Sequence, residues 1–199
     1  MAVLPLYELL ISDDPNSELE VNAVAAVDVP AIERTWLAFK DNPSLLSFAA
    51  VDEEQHIIIG AAMIPDLKIF RRDEETGEEF NVVFSKETIA CIAEKFYAKN
   101  FQTNFNLMHD PSQTKDGVVF FMSFLRDSSK GMIGLQGDYA EGTWFLGAKV
   151  NNPEVWDDVK SGKIKGFSVE GLFAFKKKSL SAEQAYEKIK EILNGINAD

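Results

Sequence analysis

Between Leu4 and Phe175 most apolar residues fall in runs of strand length, many of them β-branched or aromatic, and clusters of turn-forming residues separate the runs. Leu4 to Ile11 and Val21 to Val27 are parted by Ser12-Asp13-Asp14-Pro15-Asn16-Ser17 and read as a strand pair. His56 to Ile64 and Leu67 to Phe70 are broken by Pro65, and the acidic turn Asp73 to Glu79 leads into Phe80 to Phe84 as a hairpin with a solvated tip. Val118 to Leu125, Thr143 to Val150 and Ile164 to Phe175 complete the strands. Asp28 to Glu33 leaves the sheet at Pro30, which lacks an amide donor, and residues 40–47 form a loop around Asp41-Asn42-Pro43-Ser44.

Three segments have helical spacing instead. Ser85 caps a helix whose Ile89, Ile92, Ala93, Phe96 and Tyr97 share one face, with Asn100 at its end. Asn152-Pro153 opens a short helix with Val155, Trp156 and Val159 inward, closed by Gly162. Ser181-Ala182-Glu183-Gln184 has capping-box form, and Ala185, Tyr186, Ile189, Ile192 and Leu193 give a final helix its apolar stripe. The pattern predicts an α+β fold: one domain over 1–178 and a C-terminal helix over 179–199, packed on the domain or on another subunit.

The chain has 199 residues, enough for one sizeable core, and its 15 phenylalanines would supply much of it. A net charge of −12 repels a phosphate backbone, which argues against nucleic acid as a partner. Cys91 is alone, so it forms no internal disulfide, and Ala2 to Ile11 lacks the positive charge of a signal peptide; the expected location is cytosolic. No apolar run reaches the ~20 residues of a membrane span. Two histidines, one cysteine and no glycine-rich phosphate loop suggest neither metal nor cofactor.

The chemistry points to Gly166-Phe167-Ser168-Val169-Glu170-Gly171. Serine becomes a nucleophile when a neighbouring base takes its proton, and imidazole suits that task. Only His56 and His109 are available. His56, at a strand start after Glu53-Glu54-Gln55, reads as a solvated edge residue. His109 follows an apolar stretch and precedes Asp110-Pro111, a strand end where catalytic side chains commonly sit. The competing bland reading is a histidine that bonds a loop carbonyl. Alternation in the last strand sends Ser168 and Glu170 to one face and Phe167, Val169, Phe173 and Phe175 to the other, holding the serine firmly yet accessible. Glu170 is therefore the preferred third member; Asp110 would have to bend back to His109. The alternative for Glu170 is a surface carboxylate paired with Lys149 or Lys165. Cys91 lies in a helical pattern and is expected to be a buried, inert thiol.

Ala26-Val27-Asp28-Val29-Pro30-Ala31-Ile32-Glu33, Gly60 to Pro65 with Ile69-Phe70-Arg71, and Phe84 to Ile89 form an ordered series with Asn106-Leu107-Met108-His109-Asp110, Gly142-Thr143-Trp144, Val150 to Trp156 and Gly166 to Gly171. Through this series, over roughly residues 20 to 175, the chain resembles the tailed-phage prohead (capsid maturation) proteases, specifically the XkdF-like serine protease group. The resemblance implies a fold like the herpesvirus assemblins, a mostly antiparallel β-barrel surrounded by helices. It also implies an endopeptidase that cuts the phage scaffolding protein and the major capsid protein inside the immature shell, in the host cytoplasm, and that often cuts itself. It gives His109 the base role and Ser168 the nucleophile role, without a cofactor. The assemblin third member is a second histidine after the serine; none follows Ser168 here, so an acid or water takes that place. Met122-Ser123-Phe124 also lacks the glutamate that often precedes the family serine.

The rival from another class is a non-catalytic capsid or scaffold-associated assembly protein that keeps the fold without the chemistry. An esterase-like hydrolase is a third option, but the Gly-x-Ser-x-Gly elbow is absent.

Overall fold

The computed structural model describes residues 4–14, 16–27, 48, 50–73, 75–135, 137–178 and 185–186. The segments read as Asp28 to Glu33 and as a loop over 40–47 lie outside these residues, as does the final helix apart from Ala185 and Tyr186. In chain order the elements are β1 (Leu6–Leu10), β2 (Val21–Val27), β3 (Ala50–Asp52), β4 (Ile57–Met63), β5 (Ile69–Arg72), β6 (Glu79–Val83), α1 (Lys86–Ala98), β7 (Phe105–Leu107), β8 (Asp110–Thr114), β9 (Val118–Leu125), β10 (Trp144–Val150), α2 (Pro153–Lys160), β11 (Gly166–Gly171) and β12 (Ala174–Lys177). The strands form three four-stranded sheets, ordered β12-β1-β6-β5, β3-β4-β10-β9 and β11-β2-β7-β8. Among the described residues none of the three closes into a barrel. Pairing is antiparallel except for β1 with β6 and β2 with β7, which are parallel.

Both helices follow from their local sequence. Ser85 Oγ accepts from Thr88 N at the start of α1, and Ile89, Ile92, Ala93 and Phe96 are its buried face. Asn100 takes the left-handed conformation, φ 61°, that ends the helix. Asn152 Oδ1 accepts from Glu154 N and Val155 N, with Pro153 in the first turn of α2. Phe96 meets Trp144 and Phe120 edge to face, at centroid distances of 5.7 and 6.3 Å. Burial of these rings, with Ile58, Leu146 and Phe167, makes the core between α1 and the sheets.

Two strand readings need correction. β1 and β2 are not partners: β1 lies between β12 and β6, and β2 between β11 and β7. The Lys95 ammonium on α1 donates to the carbonyls of Ser12 (3.1 Å) and Asp14 (2.9 Å), and although Ser12 N donates to Leu19 O at 3.0 Å, the strands on either side go to different sheets. The stretch Ile164 to Phe175 is two strands in different sheets, β11 beside β2 and β12 beside β1. Its register shifts at Glu170/Gly171 and the chain leaves the sheet there. The β5–β6 hairpin, by contrast, is as the sequence reads, with Ile69 opposite Val82 and Arg72 opposite Glu79.

Cys91 is exposed on α1, not buried, because it falls off the Ile89–Phe96 face. His56 is not a free edge residue either: its ring stacks on Trp156 at 4.4 Å and its backbone has φ 51°.

Candidate active site

β11 presents Ser168, Val169 and Glu170 against Ala25, Val24 and Ala23 of β2. On the far side of β2, Ala25 pairs with Asn106 and Val24 with Phe105 of β7. Directly paired residues share a face of a sheet. Val169, Val24 and Phe105 therefore turn to the core together with Phe167, Ala26 and Leu107, all of which belong to its apolar cluster or pack on it. Ser168, Ala25 and Asn106 occupy the opposite face, with Glu170 and Ala23 beside them. The alanines of β2 have no bulk beyond Cβ, so side chains from β11 and β7 can meet across that strand.

His109 comes from the turn that follows β7. Leu107 pairs with Asp110 of β8, which leaves Met108 and His109 as a two-residue connection, and both have positive φ, 55° and 58°. Positive φ at both central residues is the signature of the type I′ turn that suits the twist of a tight hairpin. Neither residue is Gly, Asn or Asp, so the backbone carries strain. Met108 N donates to Ala26 O at 3.1 Å, which ties the turn to β2 and fixes where the imidazole starts.

The imidazole ends on Glu170. His109 Nδ1 lies 2.9 Å from Glu170 Oε1, and Asn106 Nδ2 donates to the same oxygen at 2.6 Å. Because a carboxylate oxygen accepts, the proton of this contact sits on Nδ1; in the neutral ring Nε2 is then the acceptor. Ser168, His109 and Glu170 line one cavity of about 620 Å³, whose other walls include Ile69, Phe80, Phe84 and Phe173. Among the described residues no hydrogen bond joins Ser168 to His109, and Ser168 is only 4% exposed, less open than the sequence suggests. The His109 side chain is 36% exposed and that of Glu170 23%.

Asp110, the other acid beside His109, is engaged elsewhere. Its carboxylate accepts from the Ser112 hydroxyl and amide and from Gln113 Nε2, and these donors, Ser112 Oγ foremost, hold its pKa below the ordinary aspartate value. Glu170 does not pair with Lys149, which donates to Gln55 O. Cys91 and His56 are not among the residues that line the cavity. Ser123 is also structural: its hydroxyl accepts from Trp144 Nε1 at 2.9 Å.

Asn106 is the residue the sequence reading left without a role. It is 5% exposed, and its Oδ1 is buried without a hydrogen-bond partner. Its signal in the sequence is indirect: the small side chains of Ala23 and Ala25, which only the strand order shows to lie between Asn106 and β11.

No curated protein and no solved structure matches the chain. A family model described as "Putative phage serine protease XkdF" matches residues 46–176, a span that contains β3 through β11 and, with them, Asn106, His109, Ser168 and Glu170. With well over half of its length inside that match, the chain belongs to this family of phage serine proteases.

Proposed function

We propose that this chain is a serine endopeptidase of phage capsid maturation in which Ser168 is the nucleophile, His109 the general base and Glu170 the group that orients it. The observation that carries the reading is the 2.9 Å contact between His109 Nδ1 and Glu170 Oε1, which in the neutral imidazole makes Nε2 the basic nitrogen of a ring that lines the same cavity as Ser168. In the first step the Ser168 hydroxyl oxygen attacks the substrate carbonyl carbon while Nε2 takes its proton. Glu170 then stabilises the imidazolium. The imidazolium returns the proton to the departing amine as the peptide C–N bond breaks, and an acyl-enzyme remains. Water, deprotonated by Nε2, releases the acid product and restores the serine.

The absence of a direct Ser168–His109 hydrogen bond is compatible with this cycle, since such bonds often tighten only once substrate fills the site. The proposed substrates are the phage scaffolding protein and the major capsid protein, inside the immature shell, with self-cleavage as a further product; the proposed kinship is with the assemblins. Confinement fits a weakly binding enzyme, because the shell holds substrate at high effective concentration.

Co-expression with the scaffold and capsid proteins tests the assignment. Cleavage by the parent chain that Ser168→Ala and His109→Ala each abolish is the expected result, together with labelling of Ser168 by an alkyl fluorophosphonate. Equal cleavage by the Ser168→Ala chain, or an unlabelled Ser168 in a chain that never cuts, would leave the non-catalytic assembly role in its place.

A further inference from the structure

Asn106 stands out among the polar side chains of the molecule. It is 5% exposed, it sits one strand beyond Ala25 from Ser168, and its Nδ2 donates at 2.6 Å to the oxygen that also receives His109 Nδ1. Its Oδ1 is buried with no partner. An orphaned buried acceptor is unfavourable, and a valine in this β-strand would avoid it, so folding alone does not account for an amide here. What the amide provides is a fixed donor aimed at Glu170. The glutamate side chain has several rotatable bonds and is partly exposed, and a hydrogen bond to His109 alone would let the pair swing together.

We infer that Asn106 is a positioning residue: its Nδ2 clamps Glu170 Oε1 so that the carboxylate holds His109 with the proton on Nδ1 and Nε2 directed to the cavity. This rests on the roles proposed for Ser168, His109 and Glu170. Asn106 touches neither the serine nor the imidazole in that scheme and acts through the carboxylate. The three donors and acceptors come from three elements, β7, the β7–β8 turn and β11, so the clamp also registers the turn against the strand that carries the serine. A second carboxylate in place of the amide would reverse the contact from attraction to repulsion and add negative charge beside the imidazole.

Two variants and two readouts test this. Asn106→Asp keeps the shape and removes the donor; Asn106→Val removes the donor along with the orphaned acceptor and suits a buried strand. In each, the maximal rate of Ser168 labelling by an alkyl fluorophosphonate is expected to fall roughly 10- to 100-fold, the loss of one hydrogen bond to a charged group, with the half-saturating concentration unchanged. In Asn106→Asp the acid limb of the labelling rate should move to higher pH, because added negative charge favours the imidazolium. The second readout is the ¹⁵N spectrum of His109, in which the Nδ1–H form should dominate in the parent and lose population in Asn106→Val. Parent-like labelling rates and acid limb with an unchanged His109 tautomer in both variants would overturn the inference. If the parent is not labelled at all, the proposed protease chemistry fails, and the ¹⁵N spectra alone decide whether Asn106 sets the imidazole. Should both variants misfold, Glu170→Gln in the parent decides: the Asn106 side-chain amide resonances must shift, and their constancy would refute the clamp.

Discussion

Gly171 crosses the Glu20 backbone so closely that a Cβ added to it would stand 2.1 Å from the Glu20 carbonyl oxygen and 2.8 Å from its carbonyl carbon. Leu172 N donates to that same oxygen at 3.0 Å, so the approach is a bonded crossing. The final glycine of Gly166-Phe167-Ser168-Val169-Glu170-Gly171 thus has a steric reason. It lets β11 end against the start of β2, and it fixes the residue before it, Glu170.

Gly171→Ala is accordingly expected to destabilise the fold by about 3 kcal/mol, the upper end of overpacking costs, since neither backbone can yield cheaply. Urea unfolding measures this through the midpoint at unchanged slope. Cleavage should fall further than the folded fraction explains, because the strand end that carries Glu170 must move. A loss below about 1 kcal/mol with full cleavage would show that the crossing is not tight.

His109 separates stability from function. As a non-glycine residue with φ 58° it carries a backbone cost of order 1 kcal/mol, which asparagine tolerates better. Its hydrogen bond to Glu170 is half-exposed and contributes about 1 kcal/mol in the other direction. For His109→Asn the two nearly cancel. Unfolding within about 1 kcal/mol of the parent, with cleavage reduced by about 10³-fold or more, is the expected pair of results. A variant that cuts normally would remove His109 from the mechanism.

Much of this was legible in the sequence where the determinants are local. The Ser85 cap, the Ile89–Phe96 stripe and Asn152-Pro153 specify α1 and α2 by contacts within one or two turns. The period of two put Ser168 and Glu170 on one face without knowledge of any partner strand. Partner choice is not local: β1 and β2 are parted by a turn-like segment, yet the Lys95 ammonium binds that segment to α1 and the strands join different sheets. β8 was invisible for a different reason. It contains Pro111 and polar residues, which only the edge of a sheet accepts, and β8 is such an edge. Asn106 could not be linked to Glu170 because the strand between them, β2, lies some eighty residues upstream of Asn106.

Glu20 joins the helix to the site, and that coupling can be measured. Its side chain is 10% exposed, with Lys99 Nζ 2.6 Å and Lys95 Nζ 3.3 Å from Oε2, at ion-pair distance though not aligned as hydrogen bonds. Lys95 is itself only 12% exposed and also donates to the Ser12 and Asp14 carbonyls. Removing one member of such a buried group leaves charge and carbonyls uncompensated, and Lys99 recovers only part of the deficit. Lys95→Met should therefore cost about 2–3 kcal/mol, below the full loss seen when a lone buried pair is broken. In Lys95→Met combined with Glu20→Gln the losses should fall short of their sum by about 1 kcal/mol or more, as expected of side chains in contact. Strict additivity in the double-mutant cycle would mean that the lysine acts only on the 12–17 connection. Because the Glu20 carbonyl also anchors Leu172, the Lys95 variant should lose cleavage at temperatures where it remains folded, through the displaced end of β11.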